Sequence, residues 1–411
     1  MVSISQYKWF HDPDLKNILS LLNQGNDTSC IVGGAIRDSL MHVAVKDIDI
    51  ATTILPHTVI KLFSQTNYKS ISTGISYGTI KIVLRDKSFD ITTLRSDIKT
   101  YGRNADVVFT KDWYSDAIRR DFTINALYAD QRGEVIDYVG GLNDIKNRTV
   151  KFIGNAHHRI QEDYLRILRF FRFFARYGQE NIHIDGLIAI KQNKEGLKIL
   201  SVERIWSEIR KLLEAEYPIH AVIHMHDSGI FKEIFPYIQN FSVNKLSLLV
   251  QGEQEFGWSI DPLLRFMALI PLRDKKLVLL IAKKLCLPRE IKYFFVSCVS
   301  SNMPAHFSTE EIDRLLYING KEVTIAQLKL FIALNRRDID DHYRNQIIQI
   351  IAAIPDWIRP VFPLTGNDVL KLGISPGKRI GEILSHCEKE WINSSFHLSY
   401  QDLIHLLKKW I

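Results

Sequence analysis

Ile31-Val32-Gly33-Gly34-Ala35-Ile36-Arg37-Asp38, followed by Lys46-Asp47-Ile48-Asp49-Ile50, decides the reading of this chain. An apolar strand runs into a glycine pair, a helix follows, and two aspartates then alternate with isoleucines. Asp47 and Asp49 are two apart, so on a strand both carboxylates face one way while Ile48 and Ile50 face the core. Gly33 and Gly34 open the helix without bulk, which lets its first amides meet phosphate oxygens. Arg37, one turn in, adds a charge-assisted contact to the same phosphates. Taken singly, these are a tight turn and a solvated strand face. Together they describe a site for a divalent metal and a polyphosphate, and so point to nucleotidyl transfer.

Outward along the chain, three more segments fit that chemistry. In Phe89-Asp90-Ile91-Thr92-Thr93-Leu94-Arg95, Asp90 alternates with core-like neighbours and is placed to join the first two acids from an adjacent strand; an ordinary exposed strand aspartate has the same pattern. Arg119-Arg120-Asp121-Phe122-Thr123-Ile124-Asn125-Ala126 is expected at the start of a short amphipathic helix, with Arg120 on a triphosphate and Asp121 or Asn125 near the ribose. Asp121 as a helix cap is the plainer alternative. The segment 162–172 then spaces Asp163, Arg166, Arg169 and Arg172 every three residues, beside an apolar stripe of Leu165, Leu168 and Phe171.

Asp163 and Arg166 are suited to reading a nucleobase edge. A carboxylate accepts hydrogen bonds and a guanidinium donates them. Cytosine and adenine each offer an amino donor beside a ring-nitrogen acceptor; uracil and guanine reverse that order. One Asp–Arg pair therefore takes C and A and rejects U and G, through unpaired or repelling groups. Arg169 and Arg172 stay available for phosphate or for positioning the base. The alternative is a solvated Asp163–Arg166 ion pair worth about 0.2–0.5 kcal/mol.

The totals set the frame. At 411 residues the chain exceeds the size of a single growing core, so two or more domains are expected. A composition of 46% hydrophobic and 24% charged residues excludes a disordered chain. The net charge of +7 favours an anionic partner, nucleic acid among them. Four scattered cysteines (Cys30, Cys286, Cys298, Cys387) make neither a disulfide framework nor a zinc site, and a reducing, cytoplasmic setting is expected. The first residues lack a signal-peptide layout, and apolar stretches such as 347–355 are too short to span a bilayer, so no membrane association is expected.

Short β-branched runs at 30–32, 47–52, 79–84 and 89–94 predict strands within residues 1–150. Residues 95–116, with Gly102 and Arg103, lack a period and are expected to form a mobile loop. From about residue 157 the pattern is almost wholly helical. The expected fold class is α+β: a head with a small mixed sheet, followed by an all-helical remainder.

With these residues in view, the chain resembles the class II CCA-adding tRNA nucleotidyltransferases of the DNA polymerase β-like superfamily. The matching motifs run in order from Val32-Gly33-Gly34-Ala35-Ile36-Arg37-Asp38 and Lys46-Asp47-Ile48-Asp49-Ile50-Ala51-Thr52 through Thr92-Thr93-Leu94-Arg95 and 119–126. They continue through Asp137-Tyr138-Val139-Gly140-Gly141, 162–172 and Glu203-Arg204-Ile205-Trp206-Ser207-Glu208. Phe362-Pro363-Leu364-Thr365-Gly366-Asn367-Asp368 and Leu372-Gly373-Ile374-Ser375-Pro376-Gly377 resemble the family's tail.

The resemblance implies a head at 1–150, a neck at 151–215, a body at 216–355 and a tRNA-binding tail at 356–411. It implies addition of C, C and A to the 3′ end of tRNA from CTP and ATP, with Mg²⁺ as cofactor and pyrophosphate released. It assigns Asp47 and Asp49 to the metals, with Asp90 as a third acid. Gly33, Gly34, Arg37, Arg120, Asp121 and Asn125 go to the nucleotide, Asp163 and Arg166 to base selection, and Arg169 and Arg172 to further nucleotide contacts. The segment 95–116 corresponds to the one linked to switching from C to A. A poly(A) polymerase shares the head and neck motifs, a CC-adding or A-adding specialist differs only subtly, and a non-catalytic tRNA-binding protein is the rival of another class. Monomer and homodimer are both compatible with the sequence. His224-Met225-His226-Asp227, although it contains a His-Asp pair, is expected to be a polar cluster at a helix end rather than a phosphohydrolase site.

Overall fold

The computed structural model describes residues 2–101, 104–178, 182–271, 274–300, 308–336 and 338–409. The chain divides into two compact units, 1–241 and 242–411.

The first unit opens on α1 (Pro13–Leu22), which Asp12 caps by accepting from the Asp14 and Leu15 amides. The apolar runs then become β1 (Ser29–Val32) and β2 (Ile48–Thr52), joined through α2 (Gly34–Leu40). After α3 (Pro56–Phe63) come β3 (Lys69–Gly74), β4 (Thr79–Leu84) and β5 (Lys87–Thr93). A ribbon of β6 (Arg95–Tyr101) and β7 (Asn104–Phe109) leads into α4 (Trp113–Ile118), and β8 (Leu127–Ala129), β9 (Val135–Asp137) and α5 (Gly141–Lys146) complete the α/β part. The main sheet has the order β3-β4-β5-β2-β1-β8-β9. Only the β2–β5 pair within it is parallel. The helix α2 packs on β1, β2 and β8, which buries Ile31, Val32, Ile36 and Ile50.

Two expectations need correction. The strand expected at 47–52 starts at Ile48, so Asp47 stands just outside it. The segment 95–116 is not a loop: β6 and β7 pair antiparallel and α4 follows, while Gly102 and Arg103 lie outside the described residues. The ribbon forms a separate two-stranded sheet and takes no part in the main one, and its segment shows no steady period. The short strands β8 and β9 are invisible for a similar reason, being three residues each.

Helices follow: α6 (Ala156–Glu162), α7 (Leu165–Tyr177), α8 (Ile184–Asn193), α9 (Val202–Leu213), α10 (Ile219–Asp227) and α11 (Ile230–Ile234). In α7 the predicted stripe Leu165, Leu168 and Phe171 is buried, together with Phe170, Phe173 and Phe174. Phe170 stacks on Phe152 at 5.4 Å, and Phe122 lies 5.0 Å from Phe152 and 5.2 Å from Phe173. This aromatic group bolts the 122 and 152 segments to α7. His226 and Asp227 end α10, with Nδ1 3.2 Å from Oδ1 on an exposed surface.

The second unit is helical throughout its described residues, from α12 (Val243–Phe256) and α13 (Pro262–Leu269) to a last helix at Tyr400–Lys409. A buried ion pair joins Arg265 of α13 to Glu253 of α12 at 2.5 Å. Trp391, Cys387, Leu403 and Leu407 make a core near the end of the chain, against which Phe362 packs. The tail-like motif begins a helix at Gly366–Leu370 with a Thr365–Asp368 capping box. Among the described residues, no helix is long and apolar enough to cross a membrane.

Because Phe170 is fully buried between two other rings, Phe170→Ala is expected to cost about 3–5 kcal/mol of stability. Urea unfolding of the two proteins side by side checks this; a loss under 1 kcal/mol (about a fifth of the expected maximum) would remove the aromatic bolt from the account.

Candidate active site

Val32, the last residue of β1, pairs with Asp49, and Asp49 is in turn the register partner of Asp90 across the parallel β2–β5 ladder. The two carboxylates therefore project from one sheet face, beside the glycine turn. Asp47 is exposed at the approach to β2. Asp49 also reaches solvent, but from a recess: lost hydration and then the charges of Asp90 and Asp47 raise its pKa, against the pull of Arg120 and Lys81. Lys81 Nζ lies 2.7 Å from Asp90 Oδ1. Among the described residues, no three His, Cys, Asp or Glu side chains are grouped closely enough to form a metal cage by themselves. Crowded carboxylates without a full cage suit a hard cation that takes its other ligands from phosphate oxygens and water.

Gly33 has φ 74° and ψ −114°, and a Cβ there would lie 3.2 Å from the Asn125 carbonyl oxygen and 3.7 Å from Arg120 Nη1. Only glycine lets the start of α2 lie this close to the 120–125 segment. That segment is not the start of an amphipathic helix. Arg119 and Arg120 follow the end of α4 and precede a single 3-10 turn at Thr123–Asn125. They fold back because Asp116, buried in α4, accepts from both: from Arg119 Nη2 at 2.6 Å and Arg120 Nη2 at 2.9 Å. The Tyr128 hydroxyl adds a third bond to Asp116 at 2.7 Å. Burial alone would raise the Asp116 pKa, but the two guanidiniums and Tyr128 hold it down at about 2.

Asp121 does not cap a helix through its side chain. One oxygen accepts from the Phe122 amide and from Asn125 Nδ2, at 2.9 and 3.0 Å, and the other from Arg169 Nε and Nη2, at 2.8 and 2.5 Å. Again burial pushes the pKa up and the facing arginine more than reverses it, to about 2. Asn125 Oδ1 accepts from Arg37 Nη1 at 2.5 Å. Arg37 is itself buried, with Asp38 and the Tyr177 hydroxyl accepting its other bonds. An unbroken chain, Asp38–Arg37–Asn125–Asp121–Arg169, thus runs from α2 to α7. Arg37 points into this chain rather than outward, unlike the phosphate contact expected of it.

In the helical part, Asp163 lies in the extended break between α6 and α7, not on a helix. Its Oδ1 accepts from the Leu165 amide at 3.1 Å and its Oδ2 from Arg204 Nη2 at 2.6 Å. Arg166 donates through Nη1 to the Arg159 carbonyl at 2.7 Å and to Glu162. The solvated Asp163–Arg166 ion pair is therefore absent: each group is held by a different partner. Arg172 Nε donates to buried Glu208 at 2.5 Å. Arg159 closes the arrangement by donating to Glu162 at 2.5 Å and to the Arg120 carbonyl at 2.7 Å.

The structure thus gathers Asp47, Asp49, Asp90, Gly33 and Arg120 at one end of the sheet, and links Arg37, Asn125, Asp121 and Arg169 behind them. Asp116, Glu162, Arg204 and Glu208 were not anticipated as site residues. Glu208 carried a signal: it occupies a buried position among Ile205, Ile209 and Leu212 of α9, where a charge needs a partner. Asp116 offered none beyond its place three residues before an arginine pair.

Residues 29–151 match the family model described as "Poly A polymerase head domain", and 181–242 match "Probable RNA and SrmB- binding site of polymerase A". The human "CCA tRNA nucleotidyltransferase 1, mitochondrial" is 34% identical over 408 residues, 96% of this chain and 90% of that protein. A "CCA-adding enzyme" of Geobacillus sp. (strain WCH70) is 30% identical over 396 residues, 94% of each chain. The crystal structure of the Bacillus stearothermophilus CCA-adding enzyme in complex with CTP shares the fold, with a TM-score of 0.71 at 23% identity over 96% of both chains.

Asp116 gives a pH prediction. Its folded pKa lies below the ordinary 3.8, so its stabilisation is complete above about pH 4 and is lost as the pH falls towards 2. Asp116→Asn leaves two largely buried guanidiniums without this counter-charge, and is expected to cost about 3–5 kcal/mol at pH 7. In urea titrations the gap between wild type and variant should narrow steadily below pH 4. A gap independent of pH would show that the carboxylate charge is not what holds the segment.

Proposed function

The chain belongs to the CCA tRNA nucleotidyltransferases, and from that premise we propose which of its residues perform each part of the reaction. It adds C, C and A to the 3′ end of tRNA from CTP and ATP, with release of pyrophosphate. The observation that carries the assignment is the side-by-side placing of Asp49 and Asp90, with the raised Asp49 pKa, next to the Gly33 turn and Arg120.

Asp49 and Asp90, with Asp47 at the approach, would hold the divalent cation, Mg²⁺ in our reading. When bound, such a cation activates the tRNA 3′ hydroxyl and neutralises the triphosphate. Arg120, anchored by Asp116 through Nε and Nη2, offers Nη1 to the triphosphate beside the amides of the Gly33-Gly34 turn. Arg37 fixes Asn125, so that Asp121 or Asn125 lies near the ribose on a rigid base. Asp163 presents acceptors and Arg166 presents Nε and Nη2 to the base edge, while Arg169 ties α7 to the head through Asp121 and Arg172 ties it to α9 through Glu208. The remaining helices grip tRNA through its backbone and shape, so affinity falls steeply with salt. In this reading the head is 1–150, the neck 151–215, the body 216–355 and the tail 356–411. The four cysteines are free thiols, which suits a reducing interior such as the cytoplasm; the human relative is named as mitochondrial.

The test is incorporation onto tRNA transcripts ending before CCA, after C and after CC, with each NTP separately. Two C and one A, then a stop, is expected. Long A tails would mean a poly(A) polymerase, C alone or terminal A alone a specialist, and no incorporation a binding protein. Asp49→Ala is expected to abolish addition of both nucleotides while tRNA binding, read by filter retention, persists. Undiminished turnover in that variant would refute the metal assignment.

A further inference from the structure

Lys81 of β4 stands opposite Asp90 in the antiparallel β4–β5 register, and Asp90 stands opposite Asp49 across β5 and β2. Val32, which ends β1 just before the glycine turn, is opposite Asp49 in its turn. One row across the sheet therefore reads Lys81, Asp90, Asp49, Val32. Residues directly opposite one another share a face, so the ammonium stands in line with the two acids. Ile80 and Ile82, on either side of Lys81 along β4, are buried on the other face.

The contact is close, with Lys81 Nζ 2.7 Å from Asp90 Oδ1. It is also undirected. Oδ1 is buried yet accepts no hydrogen bond of acceptable angle, so the attraction is Coulombic. The Lys81 charge reaches further, to Asp49, whose pKa it pulls down against the push of Asp90 and Asp47. The two side chains are 40% and 36% exposed, so water can replace either partner. A lysine on its flexible four-carbon stem can then move away without disturbing the strand.

A divalent cation arriving at Asp49 and Asp90 meets two obstacles. One carboxylate oxygen already faces an ammonium, and that ammonium repels the newcomer. We propose that Lys81 is a resident counter-ion of the metal site: it neutralises Asp90 until a cation binds, yields to that cation, and so sets the cation concentration the reaction needs. This rests on the metal role given above to Asp49 and Asp90. The plainer alternative, a cross-strand ion pair that only steadies β4 on β5, predicts no effect on cation binding.

The test measures Mn²⁺ binding to the full chain, without nucleotide or RNA, from the electron paramagnetic resonance signal of the free ion. Lys81→Met keeps the apolar stem and removes the charge, whereas Lys81→Arg keeps a charge. Losing a competing ion pair and a neighbouring like charge is expected to tighten Mn²⁺ binding by Lys81→Met about three- to tenfold. Lys81→Arg should stay near wild type. The Mg²⁺ concentration for half-maximal CTP incorporation should fall in Lys81→Met by a similar factor. In an Asp90→Asn background the gain from Lys81→Met should shrink. Thermal unfolding reports any general damage, and Lys81→Gln carries the test if Lys81→Met does not fold. Unchanged or weaker Mn²⁺ binding by Lys81→Met, equal tightening by Lys81→Arg, or an undiminished gain in the Asp90→Asn background would overturn the inference. Asp49→Ala separates the two claims. If it binds Mn²⁺ as the wild type does, the metal role itself fails; if it loses Mn²⁺ while Lys81→Met gains nothing, only the counter-ion role fails.

Discussion

Everything in the first unit that bears on chemistry depends on buried carboxylates facing more arginines than a folded chain tolerates unaided. Arg37, Arg119, Arg120, Arg159, Arg166, Arg169 and Arg172 all belong to the few segments between α2 and α7. Asp116 takes Arg119 and Arg120 and Asp121 takes Arg169, while Asp38, Glu162 and Glu208 take the others; removing one acid leaves its arginines uncompensated. Asp116 and Asp121 both sit at a folded pKa of about 2 because several guanidinium donors converge on each. The cost of burying them is offset by complete hydrogen bonding, and the result is specific placement rather than large net stability. Beneath the charges, the packed rings of Phe122, Phe152, Phe170 and Phe173 give the segment an apolar floor, so position is set twice, once by charge and once by packing.

This explains what could be read in the sequence and what could not. Strands β1, β2, β4 and β5 were visible because each alternates or runs apolar against a helix-covered sheet. The acids on that sheet were visible because Asp47 and Asp49 interrupt an isoleucine run at a spacing of two. The stripe of Asp163, Arg166, Arg169 and Arg172 was legible as a stripe, but its partners were not. Ion pairing between distant segments, such as Arg169 with Asp121 and Arg172 with Glu208, leaves no local pattern. Local reasoning offered an Asp163–Arg166 pair as the plain alternative; Arg166 instead takes Glu162, four residues before it, and Asp163 takes Arg204 from α9. The β6–β7 ribbon was missed because it pairs only with itself, outside the main sheet whose alternation was read.

The same network bears on how one active site serves two nucleotides. Asp49 and the Asp163–Arg166 pair are far apart in sequence, yet few bonds separate them. Asp49 feels Arg120 electrostatically; Arg120 is held by Asp116, and the Arg120 carbonyl accepts from Arg159, which holds Glu162 and through it Arg166. Asp116 also receives the Arg95 amide at 3.4 Å, where the β6–β7 ribbon leaves the sheet. The ribbon base, Arg120 and Arg166 therefore share one run of charge-assisted bonds. A rigid run of this kind suits an enzyme without a nucleic-acid template, since the protein itself must present a fixed donor and acceptor to each incoming base. On the proposed base-reading role, a looser arrangement would let Asp163 and Arg166 satisfy one another and leave uracil and guanine unopposed.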